Sequence, residues 1–494
     1  MPSDPRGLRG DAPALDAWLA FHGGAPTPFT IPGHKQRLDL VGDVVAGDVP
    51  LFAGLDTMSQ AHGVLAAAEA RAARLWGADV CRFSVGGSTH GNQALALAVG
   101  APGDRVIVSR TLHRSLLLGL VLAGLTPVWV RPDVDDLGMP RGIPPRALTD
   151  ALALAPDAVA VFIGDPSYVG TLTDIEGLAA VAHAHRGTRA RGGANGIPLV
   201  VDAAWGAHFG FHPALPGHAL ARGADALVTS AHKTLPAWSQ GALVLARTER
   251  IDPARLAAAV DATATTSPSG AILASIDASR ALVERDGPAL LGDLVGQVAD
   301  LRARLRAVPG LVVLDGPGVD PVKVCLVLSG TGADGTQIEA DLIARRMPVE
   351  LADRDTIVAM VTLADTPTTL RRLEDALVEL VEVHRGTPRP TAASIAWSVA
   401  PQQVCPPRAA FFARQETVAA ARAVGRTCGE LVAPYPPGIP VLAPGELITE
   451  GRCPRCRPHV PPERASRMPL TRPSRRCASS PIEALTRGGS PWGS

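Results

Sequence analysis

The fold class that the sequence predicts is α/β, with a mostly parallel sheet that has helices on both faces. Between residues 80 and 246, short apolar runs typical of buried strands alternate with segments of helical periodicity. Two of these runs, 197–201 and 226–229, lead into residues that carry chemistry rather than into a plain turn. With 494 residues, of which 46% are hydrophobic, the chain is long enough for two or three domains with substantial cores.

Changes in pattern along the chain predict five regions. Residues 12–22 form an amphipathic pattern, and the stretch TPFTIPGHKQ that follows is interrupted by Pro and Gly, so it continues neither a helix nor a strand. The strand and helix pattern stops at about residue 246 and restarts in a second, shorter series, until a Pro-rich break begins at residue 388. The regions are an N-terminal segment with the PGHK loop (1–60), a large domain (61–265), a smaller α/β domain (266–388), a third domain (389–450) and an atypical tail predicted to be disordered (451–494).

The elements of the two α/β domains follow from hydrophobic periodicity. Strands are predicted for apolar runs rich in β-branched residues, at 80–85, 106–109, 127–130, 158–163, 199–202, 226–229, 242–246, 311–314, 322–328 and 357–363. Helices are predicted where apolar residues recur at helical spacing, at 63–76, 113–123, 145–154, 174–185, 270–307, 334–346 and 366–384. The Gly/Arg-rich stretch 186–196 fits neither pattern and is predicted to be a mobile surface insertion.

Composition and charge exclude several classes of protein. Lys+Arg and Asp+Glu both number 47, so no excess charge favours a nucleic-acid or membrane partner. The apolar stretch 116–125 is too short to span a bilayer, and the N-terminus lacks the apolar core of a signal peptide. Seven scattered cysteines, an odd number, do not form a disulfide framework. A soluble cytoplasmic protein is the expectation.

Two strand ends in the large domain carry an acid and a lysine. The run 197–201 ends on Asp202, and the run 226–229 is followed by Lys233. Because the carboxyl ends of parallel strands form the ligand-binding edge of an α/β sheet, we expect both side chains to face one site. A lysine amine can form a Schiff base, and a carboxylate can hold the proton of a pyridinium nitrogen. This pair predicts that the large domain binds pyridoxal 5′-phosphate (PLP).

The residue types at these two positions support the prediction. Arginine supplies most of the positive charge of the chain, and the other notable lysines are Lys35 and Lys323. A lysine retained against that bias indicates chemistry that arginine cannot perform, because the guanidinium pKa is too high for an amine nucleophile. Asp202 ends a hydrophobic strand, where a carboxylate is costly unless it is paired.

The loop GGSTHGN, residues 86–92, has the composition of a phosphate cup. It falls between a predicted strand and a helix that is expected to start near His90. Backbone N–H groups at a helix N-terminus, together with the hydroxyls of Ser88 and Thr89, can bind a phosphate group. Gly/Ser turns before helices are common, so composition alone does not make this loop a phosphate site. Its position in the first strand-turn-helix unit of the predicted sheet supports that assignment.

Three more side chains are candidates for the same site. Ser230 and His232, next to the lysine, are placed to bind the phosphate and the edge of the cofactor. His113 begins the helix after the next strand, where a histidine is often only a helix cap. If it faces the acid at the strand end, it can instead stack on the cofactor ring.

Seven segments carry recognisable motifs and follow one another along the chain: PFTIPGHK, FSVGGSTHGNQA, VIVSRTLHRSLLLGLVLAGLTPVWV, DPSYVGTLTDIEGL, VVDAAWGAHFGFHPALP, ALVTSAHKTLPAWSQGALV and PYPPGIPVLAPGELIT. In these segments and in their order, the sequence resembles the Orn/Lys/Arg decarboxylase family over about residues 10–450. The family comprises PLP enzymes with the fold of aspartate aminotransferase. The resemblance therefore implies a PLP-dependent transferase-like large domain with a seven-stranded type of sheet, a smaller α/β domain and a short C-terminal decarboxylase domain at 389–450.

The resemblance also implies a role for individual residues. Lys233 resembles the Schiff-base lysine and Asp202 the partner of the pyridine nitrogen. The remaining cofactor positions are Gly87, Ser88, Thr89 and Ser230 for the phosphate, His113 for stacking on the ring, His232 beside the lysine, and Ala204 as the small residue packed under the ring. Trp205 stands where the family has His or Trp at the pocket wall, and Glu446, in APGE, is a candidate pocket acid from the third domain.

The sequence departs from the family's pattern in three places. GLDTMSQAHG (54–63) replaces a stretch that usually reads more like LDDLHHPEG, and His90 stands where a small residue is usual. The tail after Ile448 does not resemble the family's ending. It contains Cys453-x2-Cys456-x2-His459 without a second CxxC, so no metal site is predicted.

The function implied by the resemblance is PLP-dependent decarboxylation of lysine, arginine or ornithine to the corresponding amine and CO2. Lys233, His232, His113 and Asp202 would be the catalytic residues. The resemblance further implies a homodimer or larger homo-oligomer and a role in polyamine metabolism, with a small-molecule amino acid as the partner. Two alternatives stay open: another PLP reaction on the same fold, such as an aminotransferase or a lyase, and a catalytically weak regulatory relative.

Overall fold

A seven-stranded sheet forms the centre of the large domain. The computed structural model describes residues 3–24, 28–49, 62–186, 196–391, 394–433, 438–452 and 476–480. The strands of the sheet are β1 (Val80–Ser84), β2 (Arg105–Ser109), β3 (Thr126–Val130), β4 (Val161–Gly164), β5 (Leu199–Asp202), β6 (Ala226–Thr229) and β7 (Ala242–Ala246). Their order is β1-β7-β6-β5-β4-β2-β3; β3, β2, β4, β5 and β6 are parallel, and β7 is antiparallel to both neighbours. The predicted α/β class with a mostly parallel sheet is confirmed.

Helices cover both faces of this sheet. They are α3 (Val64–Leu75), α4 (Gly87–Val99), α5 (Arg114–Ala123), α6 (Pro145–Leu154), α7 (Ile175–Ala184), α8 (Ala231–Thr234) and α9 (Pro253–Thr263). Side chains alternate along each strand, so Val200 packs into the core under α4, α5 and α9, whereas Val201 packs into the core that includes α3, α6 and α7. Burial of both faces explains why the strands appear in the sequence as continuous apolar runs.

The smaller domain has a four-stranded antiparallel sheet. Its elements are α10 (Gly270–Arg306), β8 (Val312–Val313), β9 (Val324–Val327), α11 (Gly335–Ala344), β10 (Leu351–Ala352), β11 (Thr356–Ala359) and α12 (Pro367–Val383), with the strand order β10-β11-β9-β8. The 37-residue helix α10 contains Pro288 and packs on α3 and α8 of the large domain and on β8 and α12 of the smaller one. It is thus shared between the two domains.

Short elements complete the two ends of the chain. They are α1 (Pro13–Gly23) and α2 (Leu38–Val41) near the N-terminus, and α13 (Ile395–Ser398), α14 (Pro407–Phe412), β12 (Glu416–Ala419), β13 (Thr427–Cys428) and β14 (Arg476–Ser480) after residue 391. Helix α1 packs on α10, where the backbone N–H of Ala14 donates a hydrogen bond of 2.8 Å to the Asp277 carboxylate. Helix α14 packs on α5, which joins the third domain to the large one.

The tail contains regular structure at two places. Strand β14 lies between β12 and β13 and is antiparallel to both, and Arg452, in a short 3₁₀ helix, is buried. Composition reports local hydrophobicity and does not register pairing with distant strands, so the sequence did not indicate these elements, and disorder of the tail stays a prediction. Residues 453–475 and 481–494, with Cys453, Cys456 and His459, lie outside the described residues.

Two further predictions fall on undescribed stretches. All but the last two residues of the altered loop 54–63, and residues 187–195 of the predicted surface insertion, lie outside the described residues. Within the described part of the chain, none of the helices is both long and apolar enough to cross a bilayer.

Candidate active site

A cavity of about 400 Å³ opens where β4, β5 and β6 end and where α4 begins. Its walls come from strand-end loops of the large domain, from Glu350 of the smaller domain and from Ile439 of the third domain. The residues predicted from the sequence that line it are Gly87, Ser88, Thr89, His113, Asp202, Ala204, Trp205, Ser230, His232 and Lys233. The fold therefore brings these ten positions, which span 147 residues of sequence, to one place.

Asp202 is held at the cavity by two hydrogen bonds. The Asn92 side-chain amide donates to its Oδ2 at 2.8 Å, and the backbone N–H of Ala204 donates to its Oδ1 at 3.1 Å. The same Asn92 amide also donates to the Ser115 hydroxyl at 2.9 Å. With the carboxylate 8% exposed and fixed at a strand end, it can meet a cationic ring nitrogen without rearranging.

Lys233 lies on the single turn α8, directly after β6. Burial lowers the pKa of its amine, while the charges of Asp202 and Glu350 raise it. Its Nζ lies 3.5 Å from the centroid of the Trp205 indole ring, a cation–π contact that holds the side chain toward the cavity. A partly desolvated amine with a lowered pKa is what nucleophilic lysines have in common.

A hydroxyl-lined cup lies at the first turn of α4. The Oγ atoms of Ser88 and Ser230 are 2.7 Å apart, which joins the start of α4 to the end of β6. Helix α4 begins at Gly87, three residues before the predicted start, and Gly87 has φ +67°. Because the first turn of a 13-residue helix leaves its backbone N–H groups without helical partners, the cup suits a phosphate group.

The two cavity histidines have fixed orientations. His113 caps α5, where its Nδ1 accepts from the Ser115 backbone N–H at 3.2 Å, and the Ser115 hydroxyl lies 2.8 Å from the same atom. Asn92 therefore connects Asp202 to His113 through Ser115. His232 Nδ1 is 2.9 Å from the Gly241 carbonyl oxygen, to which it donates. Burial lowers the pKa of both imidazoles.

Glu446 does not line the cavity, contrary to its predicted place there. It is 0% exposed, and its carboxylate accepts two hydrogen bonds from the Arg110 guanidinium, at 2.6 and 3.0 Å. Arg452 lies 3.7 Å from the same carboxylate. The motif APGE predicts that Glu446 lies in the pocket. In the structure Glu446 lies between two buried arginines, and it belongs to the contact between the third domain and the large domain.

His90, one of the three departures from the family's pattern, has both of its ring nitrogens satisfied within the fold. Its Nδ1 lies 2.8 Å from Ser84 Oγ and its Nε2 3.0 Å from the Val260 carbonyl oxygen, so both ring nitrogens have partners. The ring is buried and ties α4 to α9.

Sequence reasoning missed three residues of the site. Asn92 lies within the loop 86–92, but its bond to an acid 110 positions away leaves no local signal. Lys323 Nζ lies 3.9 Å from the Trp205 ring centroid, although the lysine immediately precedes β9 of the smaller domain. The scarcity of lysine in the chain was the available signal for Lys323, whereas nothing in the sequence marked Glu350.

The residues of the cavity fit PLP. The cavity offers one group for each reactive part of the cofactor. A buried carboxylate suits the ring nitrogen, an amine with a lowered pKa suits the aldehyde, and the hydroxyl-lined cup suits the phosphate. Ala204, 8% exposed, leaves room beside Asp202 for a flat ring.

Comparison with known proteins agrees with this fit. The description "Orn/Lys/Arg decarboxylase, major domain" belongs to the family model that matches residues 22–315. The model of the C-terminal domain of Orn/Lys/Arg decarboxylase matches residues 392–456. The two matches follow one another along the chain in the order of the large and third domains.

Individual relatives extend the match to most of the chain. An arginine decarboxylase of Halalkalibacterium halodurans is 32% identical over 444 residues, covering 86% of this chain and 88% of that protein. An arginine decarboxylase of Bacillus subtilis is 29% identical over 450 residues, covering 86% of this chain and 89% of that protein. Lysine decarboxylase A from Pseudomonas aeruginosa shares the fold, with a TM-score of 0.76 at 20% identity over 95% of this chain and 80% of that one. The chain belongs to the Orn/Lys/Arg decarboxylase family, whose cofactor is PLP.

Proposed function

We propose that this protein is a PLP-dependent decarboxylase that converts a basic amino acid to the corresponding amine and CO2. The observation that carries the proposal is the convergence of Lys233, Asp202 and the Ser88–Ser230 cup on one cavity. Arginine is the first substrate to test, since the two relatives described above with 29–32% identity are named arginine decarboxylases.

Different residues of the cavity would hold different parts of the cofactor. When bound, PLP supplies a carbonyl carbon for the substrate's amine and a pyridinium ring that accepts the electron pair left by departing CO2. Lys233 would hold the cofactor covalently until substrate displaces it, and Asp202 would keep a proton on the ring nitrogen. The phosphate would lie against Gly87, Ser88, Thr89 and Ser230, with His113 on the ring.

Lys233 is the residue we assign to return a proton to Cα after CO2 is lost. His232 is the other candidate at the cavity, but burial lowers the pKa of its imidazole, which makes it mostly neutral at pH 7. Its Nδ1 is also committed to the Gly241 carbonyl. Lys233, once released by substrate, is an amine that can accept, hold and return the proton.

Glu350 is the acid we assign to the terminal cation of the substrate. It lies at the mouth of the cavity, and in the described structure the carboxylates lining that cavity belong to Asp202 and Glu350. Because Asp202 is bonded to Asn92, Glu350 is the one available for a guanidinium or ammonium group. A pocket acid from the smaller domain thus takes the place that the sequence had given to Glu446.

The test is Lys233→Ala assayed with arginine, lysine and ornithine while CO2 and amine are measured. We expect the wild type to release CO2 from one of them and the variant to have lost turnover together with the visible absorbance of bound PLP. Arg345→Ala, which removes an exposed cation of the smaller domain, is the control and should keep both. Normal turnover in Lys233→Ala contradicts the assignment.

The same assay separates the alternatives. A keto acid in place of CO2 and amine would identify an aminotransferase, and elimination products would identify a lyase. Bound PLP without turnover of any of the three amino acids would identify a catalytically weak relative.

We also propose, from the family resemblance, a homodimeric or larger assembly in the cytoplasm with a role in polyamine metabolism. Light scattering of the purified protein tests the first of these. A monomer in the active preparation would contradict it.

A further inference from the structure

Two of the three lysines in this chain meet at one tryptophan. Lys35, Lys233 and Lys323 are the only lysines in the sequence, against 47 Lys+Arg in total. The Nζ atoms of Lys233 and Lys323 lie 3.5 and 3.9 Å from the centroid of the Trp205 ring. Two ammonium groups seated on one ring are at most about 7 Å apart, a distance at which their charges interact strongly in a partly desolvated place.

Lys323 is buried without an acidic hydrogen-bond partner. It is 4% exposed, and its Nζ donates to the Met360 thioether sulfur at 3.4 Å. Across the described ranges, no carboxylate lies within 4.0 Å of this ammonium. A buried charge held by a thioether and an indole face costs free energy, and groups of this kind concentrate at functional sites.

Packing fixes the stem of Lys323 in this position. A Cβ on Gly170 would lie 2.7–2.8 Å from the Cγ and Cβ of Lys323, so only glycine leaves room for the lysine. Gly170 has φ +93°, and its carbonyl accepts from the Asp320 backbone N–H at 2.7 Å. The lysine is therefore held against Trp205 by its backbone surroundings and is not free to turn toward solvent.

The acids near Lys323 do not neutralise it. Burial is the main cause that lowers the pKa of Lys323 to about 8; Asp320 and Glu350 raise it, and the charge of Lys233 lowers it. Asp320 Oδ1 accepts from the Val322 backbone N–H at 3.0 Å and lies 3.2 Å from His208 Nε2. Glu350 is exposed at the cavity mouth, where solvent screens its charge.

Lys233 faces a different set of groups. Asp202 and Glu350 raise the pKa of its amine, and His113 and His232 lie beside it at the cavity. Burial lowers the pKa of both imidazoles, so that they are mostly neutral at pH 7. Lys323 is therefore the one described neighbour on Trp205 that brings a positive charge to Lys233.

We propose that Lys323 is a positioning residue for the reaction: its ammonium group, seated on the same tryptophan, makes Lys233 a weaker base. A larger fraction of Lys233 is then the neutral amine that captures the cofactor. An adjacent cation is an established physical means of activating an amine nucleophile. The catalytic consequence rests on the proposed function, whereas the effect on Lys233 itself does not.

The first test measures the basicity of Lys233 in the full-length chain without cofactor. Formaldehyde with cyanoborohydride methylates neutral amines, and peptide mass spectrometry reads each of the three lysines separately. Below pH 8, where Lys323 still carries its charge, we expect Lys233 in Lys323→Met to be methylated on the order of tenfold more slowly than in the wild type. In Lys323→Arg, which keeps the charge, the rate should stay close to that of the wild type.

Cys325→Ala is the matched control for damage to β9. It removes a buried side chain from the same strand, and the thiol is uncharged at neutral pH because burial raises its pKa to about 12. We expect the rate of Lys233 methylation below pH 8 to be unchanged in this variant. An unchanged rate in Lys323→Met, or an equal fall in Cys325→Ala, overturns the proposal.

The second test uses the holoenzyme. The pH midpoint of the visible cofactor band should also rise in Lys323→Met and not in Cys325→Ala, because the same charge acts on the Lys233 nitrogen after PLP is bound. If the protein binds no PLP, the proposed function fails while the methylation profile still decides the role of Lys323. A cofactor band with the same midpoint in wild type and Lys323→Met overturns the inference even if the enzyme turns over substrate.

Discussion

Two buried clusters of positive charge, one under the third domain and one at Trp205, are built in opposite ways. Arg110, 1% exposed, is paired with Glu446 through two hydrogen bonds and stacks 4.6 Å from the centroid of Trp129. Lys323, 4% exposed, also lies on an indole but has a thioether as its hydrogen-bond partner. A paired buried charge holds elements together, whereas an unpaired one leaves its field available to a neighbouring reactive group.

The two clusters should differ most in stability, and Glu446→Ala should show the largest loss. Removing this carboxylate leaves Arg110 buried and unpaired, and we expect the free energy of unfolding to fall by about 3–5 kcal/mol. Chemical denaturation followed by fluorescence measures the change. In the control Glu416→Ala, which breaks an exposed pair with Arg426, the loss should be much smaller, because solvent screens this pair. Equal losses in the two variants would mean that the Arg110 cluster does not secure the third domain.

Asp202→Asn should affect turnover rather than folding. The amide keeps the shape of the side chain but cannot hold a proton on a ring nitrogen as a carboxylate does, so we expect kcat to fall roughly a hundredfold or more. CO2 release measures kcat, and thermal unfolding verifies the fold. Asp225→Asn is the control, because Asp225 is an equally buried acid of the same sheet region that pairs with His183 and Arg250 away from the cavity. Unchanged kcat in Asp202→Asn would remove this acid from the mechanism.

Asp165 is a buried acid that has a cationic neighbour but is incompletely compensated for its burial, and its effect should be the smallest of the three. It accepts from the Thr173 backbone N–H at 2.6 Å and lies 3.3 Å from Arg222, yet burial raises its pKa from 3.8 to about 6. The folded protein then holds a proton that the unfolded chain has lost between about pH 4 and pH 6. Stability therefore falls as pH rises through this window.

The comparison with Asp165→Asn isolates that contribution. Relative to the variant, the wild type should lose on the order of 2 kcal/mol of unfolding free energy between pH 4 and pH 7. Denaturation curves of both proteins at several pH values measure the difference. A difference that does not change with pH would show that Asp165 is ionised throughout.

Most of the large domain could be predicted from the sequence because its signals are local. The strand Leu199–Asp202 and the helix Pro145–Leu154 have their predicted bounds, since a continuous apolar run or a helical period is contained within the element itself. Asp202 and Lys233 could be placed at one edge because parallel strands fix where their ends meet.

The rest of the site could not be predicted because its partners lie far apart in sequence. Asn92 bonds to an acid 110 positions later, and Lys323 reaches Trp205 from another domain. Glu446 was assigned to the pocket because its burial against Arg110, 336 positions away, has no trace in the motif around it. Strand β14 was missed for the same reason, since its hydrogen bonds are made with strands that precede it by about fifty residues or more.

Helix α10 connects the two domains that carry Lys233 and Lys323, the lysines whose amines lie on Trp205. A helix of 37 residues is about 55 Å long and, as one continuous rod, transmits rotation of either end to the other. One part of it packs on α8, which carries Lys233, and another part packs on β8, next to the strand that Lys323 precedes. Pro288 removes one backbone hydrogen bond and marks the place where the rod bends most easily. A change in the angle between the two domains would therefore change the separation of the two amines, and with it the strength of the repulsion between them.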